Sequence, residues 1–121
     1  MSKIEIVSIS KFHNVNTDES IQVGVVIKEA WWKPAYLTHF QTTQESPFWN
    51  EVMDIFSKLE TSSTELSYVN EKGEKNVVKT VNIDKARTSP ESFQAIDDLY
   101  RIVKYSQSEN LREIQQQFTS V

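Results

Sequence analysis

The sequence predicts an α+β fold, in which one domain spans residues 1–121 and an antiparallel sheet of about five strands is packed on one face by two main helices. The length of 121 residues suits one domain. Segments that alternate between apolar and polar residues indicate strands, and two later segments show the three- and four-residue spacing of amphipathic helices. The order strands, helix, strands, helix favours a sheet covered by helices on one face.

The first part of the chain is predicted to form three strands. Residues 3–9 alternate and place Ile4, Ile6 and Ser8 on one side. The polar segment 13–20 is rich in turn-forming residues and is predicted to be a loop. Residues 21–29 form the strongest predicted strand, in which Gly24 indicates a bulge or the close approach of another backbone.

A third strand is predicted at residues 36–40, after Pro34 has interrupted the chain. The first helix follows, with Ser46 as its cap and Pro47 at its first position, where a missing N–H costs nothing. Its apolar stripe contains Phe48, Val52, Phe56 and Leu59. Residues 61–64 end it.

A hairpin is predicted next, with strands at residues 65–69 and 76–83. The connection at residues 70–74 contains Gly73, which can adopt a positive φ. The second helix starts near residues 88–91, capped by Thr88 or Ser89. Its predicted buried stripe is Phe93, Ile96, Leu99, Tyr100 and Val103.

The C-terminal region leaves two alternatives open. The second helix either continues or breaks near residues 106–108 and restarts, and Leu111, Ile114 and Phe118 then extend the amphipathic pattern. This last segment is either a dimer contact or a part of the monomer core. A shift of 44 residues also superimposes the two helical patterns. This indicates either a duplicated strand-strand-helix unit or the fact that any two amphipathic helices align at some offset.

Composition narrows the possible chemistry. The absence of cysteine excludes disulfides and thiolate chemistry, and two glycines are too few for a phosphate-binding glycine motif. His13 and His39 lie far apart in sequence and lack the spacing of metal ligands. We therefore expect a protein that is not an enzyme and that has no metal and no cofactor.

Residues 28–36 form the most distinctive segment of the sequence, with adjacent tryptophans before a proline. Neighbouring strand residues point to opposite faces, so Trp31 and Trp32 are not both expected to enter a one-sided core. Trp and Tyr are enriched at binding hot spots. We predict a partner-binding surface made of Trp31, Trp32, Lys33 and Tyr36. The alternative is that the second indole packs against the N-terminal region near Phe12 or against the C-terminal helix.

The same segment also fits a single-stranded nucleic-acid-binding module, since aromatic rings stack on bases while lysines contact phosphates. The net charge of −4 opposes this alternative. The basic residues that would serve it are Lys28, Lys72, Lys75, Lys79, Lys85 and Arg87.

The sequence thus predicts a small acidic interaction protein that masks a partner's surface as an inhibitor or adaptor. Immunity and anti-defence proteins are similar in size and charge alone. The predicted partner is a protein. Acidic residues flank both helices, which favours a basic or nucleic-acid-handling partner. A homodimer and an oligomer that binds a small molecule such as a nucleotide are further alternatives. The chain lacks a long apolar run, so we expect a cytoplasmic protein with no membrane association.

Overall fold

The computed structural model describes residues 3–14 and 17–119, including the side chains of residues 3–14 and 19–106. The elements in chain order are β1 (Lys3–Asn14), β2 (Thr17–Lys28), β3 (Tyr36–Thr43), α1 (Trp49–Leu59), a 3-10 turn (Glu60–Ser62), β4 (Ser63–Val69), β5 (Lys75–Asn82), α2 (Ile83–Ala86) and α3 (Pro90–Thr119).

The five strands form one sheet in the order β3-β2-β1-β5-β4, and each neighbouring pair is antiparallel. The central strand, β1, and its neighbours contribute Ile9, Val23 and Val81 to the core, against which both long helices pack. The predicted α+β fold, with five antiparallel strands and helices on one face, is confirmed.

The core is continuous between the sheet and the helices. α1 contributes Val52 and Phe56, and α3 contributes Leu99 and Val103, each at most 1% exposed. Each fully buried aliphatic or aromatic side chain stabilises the fold by roughly 1.5–3 kcal/mol relative to an exposed one. Burial in the core therefore fixes how the helices lie on the sheet.

A bulge in β1 changes which of its residues face the core. The pairing with β2 shifts register between Ile6 and Ser8, so that Ile9 is buried together with Ile6. Strict alternation would have placed Ser8 there instead. Ser8 lies opposite Gly24, where an added Cβ would meet its Oγ at 2.5 Å. The bulge expected at Gly24 is therefore present in the partner strand, and the close neighbour is a side chain.

The prediction of a loop at residues 13–20 is wrong for the residues that the structure describes. β1 continues to Asn14 and β2 begins at Thr17, while residues 15 and 16 lie outside the described part. Cross-strand contacts offset the weak strand propensity: His13 Nδ1 lies 3.4 Å from Glu19, and Asn14 Nδ2 donates to Asn76 Oδ1 at 2.7 Å.

The start of α3 agrees with the prediction, whereas the start of α1 differs from it. Ser89 Oγ accepts the Ser92 N–H at 3.2 Å, which confirms Ser89 as the cap of α3. Ser46 Oγ accepts the N–H of Phe48 in the preceding turn, and α1 begins only at Trp49. Pro47 is therefore not its first helical residue.

The structure also differs from the sequence predictions at α2 and in the buried face of α3, and it shows that α3 is continuous. Ile83, which was predicted to end the strand, instead begins α2, because the Asn82 side chain caps the Asp84 and Lys85 N–H groups. Phe93 is 51% exposed instead of buried, and Ala95 and Ile102 complete the buried stripe. α3 runs without a break through residues 106–108. The side chains of Leu111, Ile114 and Phe118 lie outside the described part.

After β1, a pair of strands precedes each long helix, and α2 lies between β5 and α3 in the second set. The two units are placed differently in the sheet. β2, the first strand of one unit, lies inside the sheet, whereas β4, the first strand of the other, lies at its edge.

Candidate functional site

The predicted partner-binding residues lie in and next to the loop between β2 and β3, which we call the β2–β3 loop (residues 29–35). The Lys33 N–H donates to the Ala30 carbonyl at 3.1 Å, so Trp31 and Trp32 occupy the two central positions of a tight turn. Central turn residues project away from the sheet. The sequence predicts at least one exposed indole because strand residues alternate between faces. Both indoles are exposed, and the reason is that they lie in a turn.

The two indoles form one exposed aromatic unit. Trp31 is 84% exposed and Trp32 is 67% exposed. Their ring centroids lie 5.7 Å apart at an interplanar angle of 87°, a T-shaped contact. Such edge-to-face pairs contribute about 0.5–1.5 kcal/mol beyond the burial of their area. The pair therefore favours one arrangement of the rings before anything docks on it.

Glu29 connects the two ends of the loop. One carboxylate oxygen accepts from Lys33 Nζ at 3.3 Å, and the other accepts from the Tyr36 hydroxyl at 3.2 Å. Desolvation, the hydrogen bond to Glu29 and the negative charge of Glu29 raise the pKa of Tyr36 above its ordinary value of 10.0. The phenol therefore keeps its proton and remains the donor in this contact near neutral pH.

Two further exposed side chains lie at the start of β3 and point to opposite faces of the sheet. Tyr36 is 46% exposed and its neighbour Leu37 is 59% exposed. The sequence did not indicate Glu29 or Leu37 as part of the site. The spacing from Glu29 to Lys33 suggests a pair only on a helix, and an isolated leucine in a strand pattern is expected in the core.

The basic residues of the nucleic-acid alternative are not brought together. Lys28 pairs with Lys3 at the end of the sheet that carries the β2–β3 loop. Lys72 and Lys75 lie at the β4–β5 turn, which is at the opposite end because Asn76 pairs with Asn14.

The remaining basic residues are partly occupied by acidic neighbours. Lys79 Nζ donates to Glu60 Oε1 at 2.8 Å, and Arg87 Nε lies 3.9 Å from Asp84, next to Lys85 in α2. The hairpin therefore does not lie beside the tryptophans, and the positive platform that would combine them does not form.

Acidic side chains do converge on the helix layer. Glu51, Asp54 and Asp98 line one cleft of about 350 Å³ between α1 and α3, together with Arg101. Lys58 partly neutralises Asp54 at 3.2 Å. This arrangement gives the helix layer a mixed surface with an acidic excess.

The described residues contain no group of three histidine, aspartate or glutamate side chains placed to hold a metal ion. His13 lies at one end of the sheet beside Glu19, whereas His39 is on the edge strand β3. Within the part of the chain that is described, none of the helices has both the length and the apolarity needed to cross a bilayer.

No protein-family model matches the sequence, and comparisons with curated proteins and with solved structures give no match. The function is therefore inferred from the geometry of the molecule.

Proposed function

We propose that this protein is a non-enzymatic interaction module, an inhibitor or adaptor, that docks the β2–β3 loop onto a partner protein and masks the surface it covers. The observation that carries the proposal is the exposure of two adjacent indoles, at 84% and 67%, in a turn held by Glu29. Large aromatic side chains at the centre of an interface contribute most of its binding energy.

The loop is suited to a protein surface with apolar pockets. Lys33 and Glu29 pair with each other, so the exposed apolar area of Trp31, Trp32 and Tyr36 is not dominated by either charge. The T-shaped ring contact and the Glu29 hydrogen bonds reduce the conformational freedom that docking would otherwise remove.

Long-range charge favours a basic partner. The net charge is −4, and acidic side chains line the cleft between α1 and α3. Complementary charge on a partner would increase the rate of encounter and would be screened by salt. In this proposal the indoles supply the affinity and the acidic helix layer supplies the attraction at a distance.

The test is affinity capture from the native cell with the wild type and the variant Trp31→Ala/Trp32→Ala, followed by titration with the purified partner. We expect the variant to lose at least about 2 kcal/mol of binding free energy, roughly a thirtyfold weaker Kd. Tyr68→Ala is the matched control, because Tyr68 is an exposed aromatic residue on β4, near the opposite end of the sheet.

Two results would contradict the proposal. One is a partner that binds the double tryptophan variant as tightly as the wild type. The other is salt-sensitive quenching of tryptophan fluorescence by single-stranded oligonucleotides, which Lys75→Glu/Lys79→Glu abolishes. That second result would favour the nucleic-acid alternative.

A further inference from the structure

β4 is an edge strand whose outer side is unpaired. The sheet order places β5 on one side of β4, and no strand in the described part of the chain pairs with its other side. Residues 64–69 are all exposed, on both faces of the strand. β4 carries no lysine, arginine, proline or bulge, which are features that protect edge strands from pairing. We call the outward-facing backbone of residues 63–69 the β4 edge.

The hydrogen bonds of the β4–β5 hairpin determine which backbone groups point outward. The Asn70 N–H donates to the Glu74 carbonyl at 3.0 Å, next to the turn. Hydrogen-bonded pairs alternate along an antiparallel ladder, so the even-numbered residues of β4 direct their N–H and C=O groups toward β5. The same groups of the odd-numbered residues point outward, at Glu65, Ser67 and Val69.

Apolar side chains lead to the β4 edge on the face of the sheet away from the helices. Leu66 is 63% exposed and Tyr68 is 46% exposed. Leu66 pairs with Val78, and Val78 pairs with Phe12 of the central strand. Val81 faces the helices, so Val78, three residues before it, faces the other side. An apolar row therefore runs from the centre of the sheet to its edge and ends at Leu66.

The β4–β5 hairpin carries no net charge, unlike the whole chain. Residues 63–82 contain three glutamates and three lysines, whereas the complete chain has a net charge of −4. A neutral edge meets an identical edge without the repulsion that two acidic surfaces would cause. The charge balance therefore favours a second copy of this chain over a highly charged partner.

We propose that two copies of this chain pair through the β4 edge, antiparallel and around a two-fold axis at Ser67. The two five-stranded sheets then form one sheet of ten strands. Ser67 lies opposite Ser67 of the second copy, and Leu66 lies opposite Tyr68 of the second copy, so that the apolar rows meet. The outward N–H and C=O groups of the odd-numbered residues all face partners in this register.

Charge distinguishes this register from its neighbours. Glu65 lies opposite Val69 of the second copy, and it is placed between its own Lys79 and Lys75 of the second copy. An axis at Leu66 would bring the two Glu65 carboxylates diagonally next to each other. An axis at Glu65 would place them directly opposite, where like charges destabilise a sheet.

The other edge strand, β3, is less suited to self-pairing. Every second residue of its helix-facing side is half-buried or buried from Thr38 to Thr42. On its other face, Leu37 is followed by His39 and Gln41, so β3 lacks a row of apolar side chains. Pairing through β4 leaves both β2–β3 loops free, since β3 lies at the opposite edge. The dimer needs no residue of these loops and goes beyond the function proposed above.

The test is analytical ultracentrifugation of the full-length chain over a range of concentrations, combined with hydrogen exchange. One pair of strands with a few apolar side chains makes a small interface, so we expect a weak dimer that forms at about 100 µM. A rise in concentration should slow exchange most at the outward amides of Glu65, Ser67 and Val69. The amides of Leu66 and Tyr68 already face β5 and should change less.

Leu66→Lys and Leu37→Lys form a matched pair of variants. The two leucines are 63% and 59% exposed, on the same face of opposite edge strands. Leu66→Lys should weaken dimerisation at least about tenfold, because it brings a charge into the apolar row. Leu37→Lys should dimerise as the wild type does.

Ser67→Pro tests the backbone contact. It removes the central outward N–H, at a position where an edge strand tolerates proline because that N–H faces solvent. We expect a folded monomer, with the fold checked by urea unfolding.

The dimer and the docking loop are tested independently. Trp31→Ala/Trp32→Ala should dimerise as the wild type does. Leu66→Lys should bind the captured partner with the same affinity per chain as the wild type, since it leaves the β2–β3 loop unchanged. Tyr68→Ala stays a control for partner binding for the same reason, although it should weaken the dimer.

The proposal is overturned if the chain is still a monomer at about 1 mM. It is also overturned if Leu66→Lys and Ser67→Pro dimerise as tightly as the wild type, or if the protected amides of a dimer map to β3 or α3. Protection of residues 65–69 by the captured partner, in a chain that is otherwise monomeric, would assign the β4 edge to that partner instead.

Discussion

Glu60 and Lys79 form the ion pair with the clearest consequence for pH dependence. Lys79 Nζ donates to Glu60 Oε1 at 2.8 Å, and this hydrogen bond is the main cause that lowers the pKa of Glu60 below its ordinary value of 4.5. A carboxyl whose pKa is lowered in the folded state stabilises the fold fully above pH 4.5. Its contribution disappears as the pH falls through the lowered pKa.

We therefore predict that Glu60→Gln destabilises the protein at pH 7 and has a smaller effect at pH 3. Urea unfolding midpoints at pH 3, 5 and 7 measure this difference. Both side chains are more than one third exposed, so the effect at pH 7 is small and decreases further in high salt. Glu71→Gln, in the exposed hairpin turn, is the control. If Glu60→Gln lost equal stability at pH 3 and pH 7, the ion pair with Lys79 would not be the source of the effect.

Gly24 and Ser8 are predicted to be energetically coupled. A Cβ at residue 24 would meet Ser8 Oγ at 2.5 Å and Val7 Cγ2 at 3.3 Å. We expect Gly24→Ala to destabilise the protein by about 1 kcal/mol, since crowding at the bulge outweighs the entropy gained in the unfolded chain. Ser8→Ala removes the hydroxyl, so the double variant should regain most of that loss. A double-mutant cycle from urea unfolding checks the coupling. Purely additive effects would contradict it.

The tryptophan pair illustrates what adjacency in sequence can predict. The alternation of strand residues predicted that one indole is exposed, but Trp31 and Trp32 lie in a turn, where that reason does not apply. The exposure of both depends on the hydrogen bond that closes the turn from Lys33 to Ala30. Pro34 indicated an interruption of the chain, but the position of the turn was not predictable from it.

The sequence predicted best those helices and strands whose buried residues follow a regular spacing. α1, α3 and the apolar centre of β2 have regular spacings that survive in the fold. The outer half of the β1–β2 hairpin has no such pattern. It is strand because Lys11 and His13 meet Glu19 across the hairpin at 3.7 and 3.4 Å, contacts that the sequence does not reveal.

α3 provides a test of how its two faces differ. Leu99 is fully buried, whereas Phe93 is half exposed. We predict that Leu99→Ala destabilises the protein by about 2–5 kcal/mol, because it leaves a cavity in the core. Phe93→Ala should cost less than about 1 kcal/mol, since its ring retains contact with water. Thermal and urea unfolding measure both. Equal losses would show that Phe93 belongs to the core, as the helical pattern predicted.

For the whole molecule, composition and element order were sufficient to predict the class of fold, but not the order of strands. The helices cover one face of the sheet. The other face carries a row of polar residues that crosses all five strands: Thr64, Thr80, Ser10, Gln22 and Gln41. Ser10 and Thr80 hydroxyls lie 3.1 Å apart and hydrogen-bond within this row. These hydroxyl and amide groups let an uncovered sheet face meet water.

The architecture also predicts that folding and docking are separable. Trp31, Trp32 and Tyr36 extend from the end of the sheet, and the core is complete without them. We therefore expect Trp31→Ala/Trp32→Ala to change the free energy of unfolding by less than about 0.5 kcal/mol while it weakens partner binding.

Ile9→Ala, in the central strand, should instead destabilise the protein by about 2–5 kcal/mol, because Ile9 is fully buried between the sheet and the helices. At temperatures where this variant remains folded, it should bind the partner with wild-type affinity, since it leaves the β2–β3 loop unchanged. Unfolding in urea and calorimetric titration with the captured partner measure the two quantities. Exposed rings make few core contacts, so their removal should cost little stability. If the tryptophan variant loses as much stability as Ile9→Ala, the indoles support the fold rather than an interface.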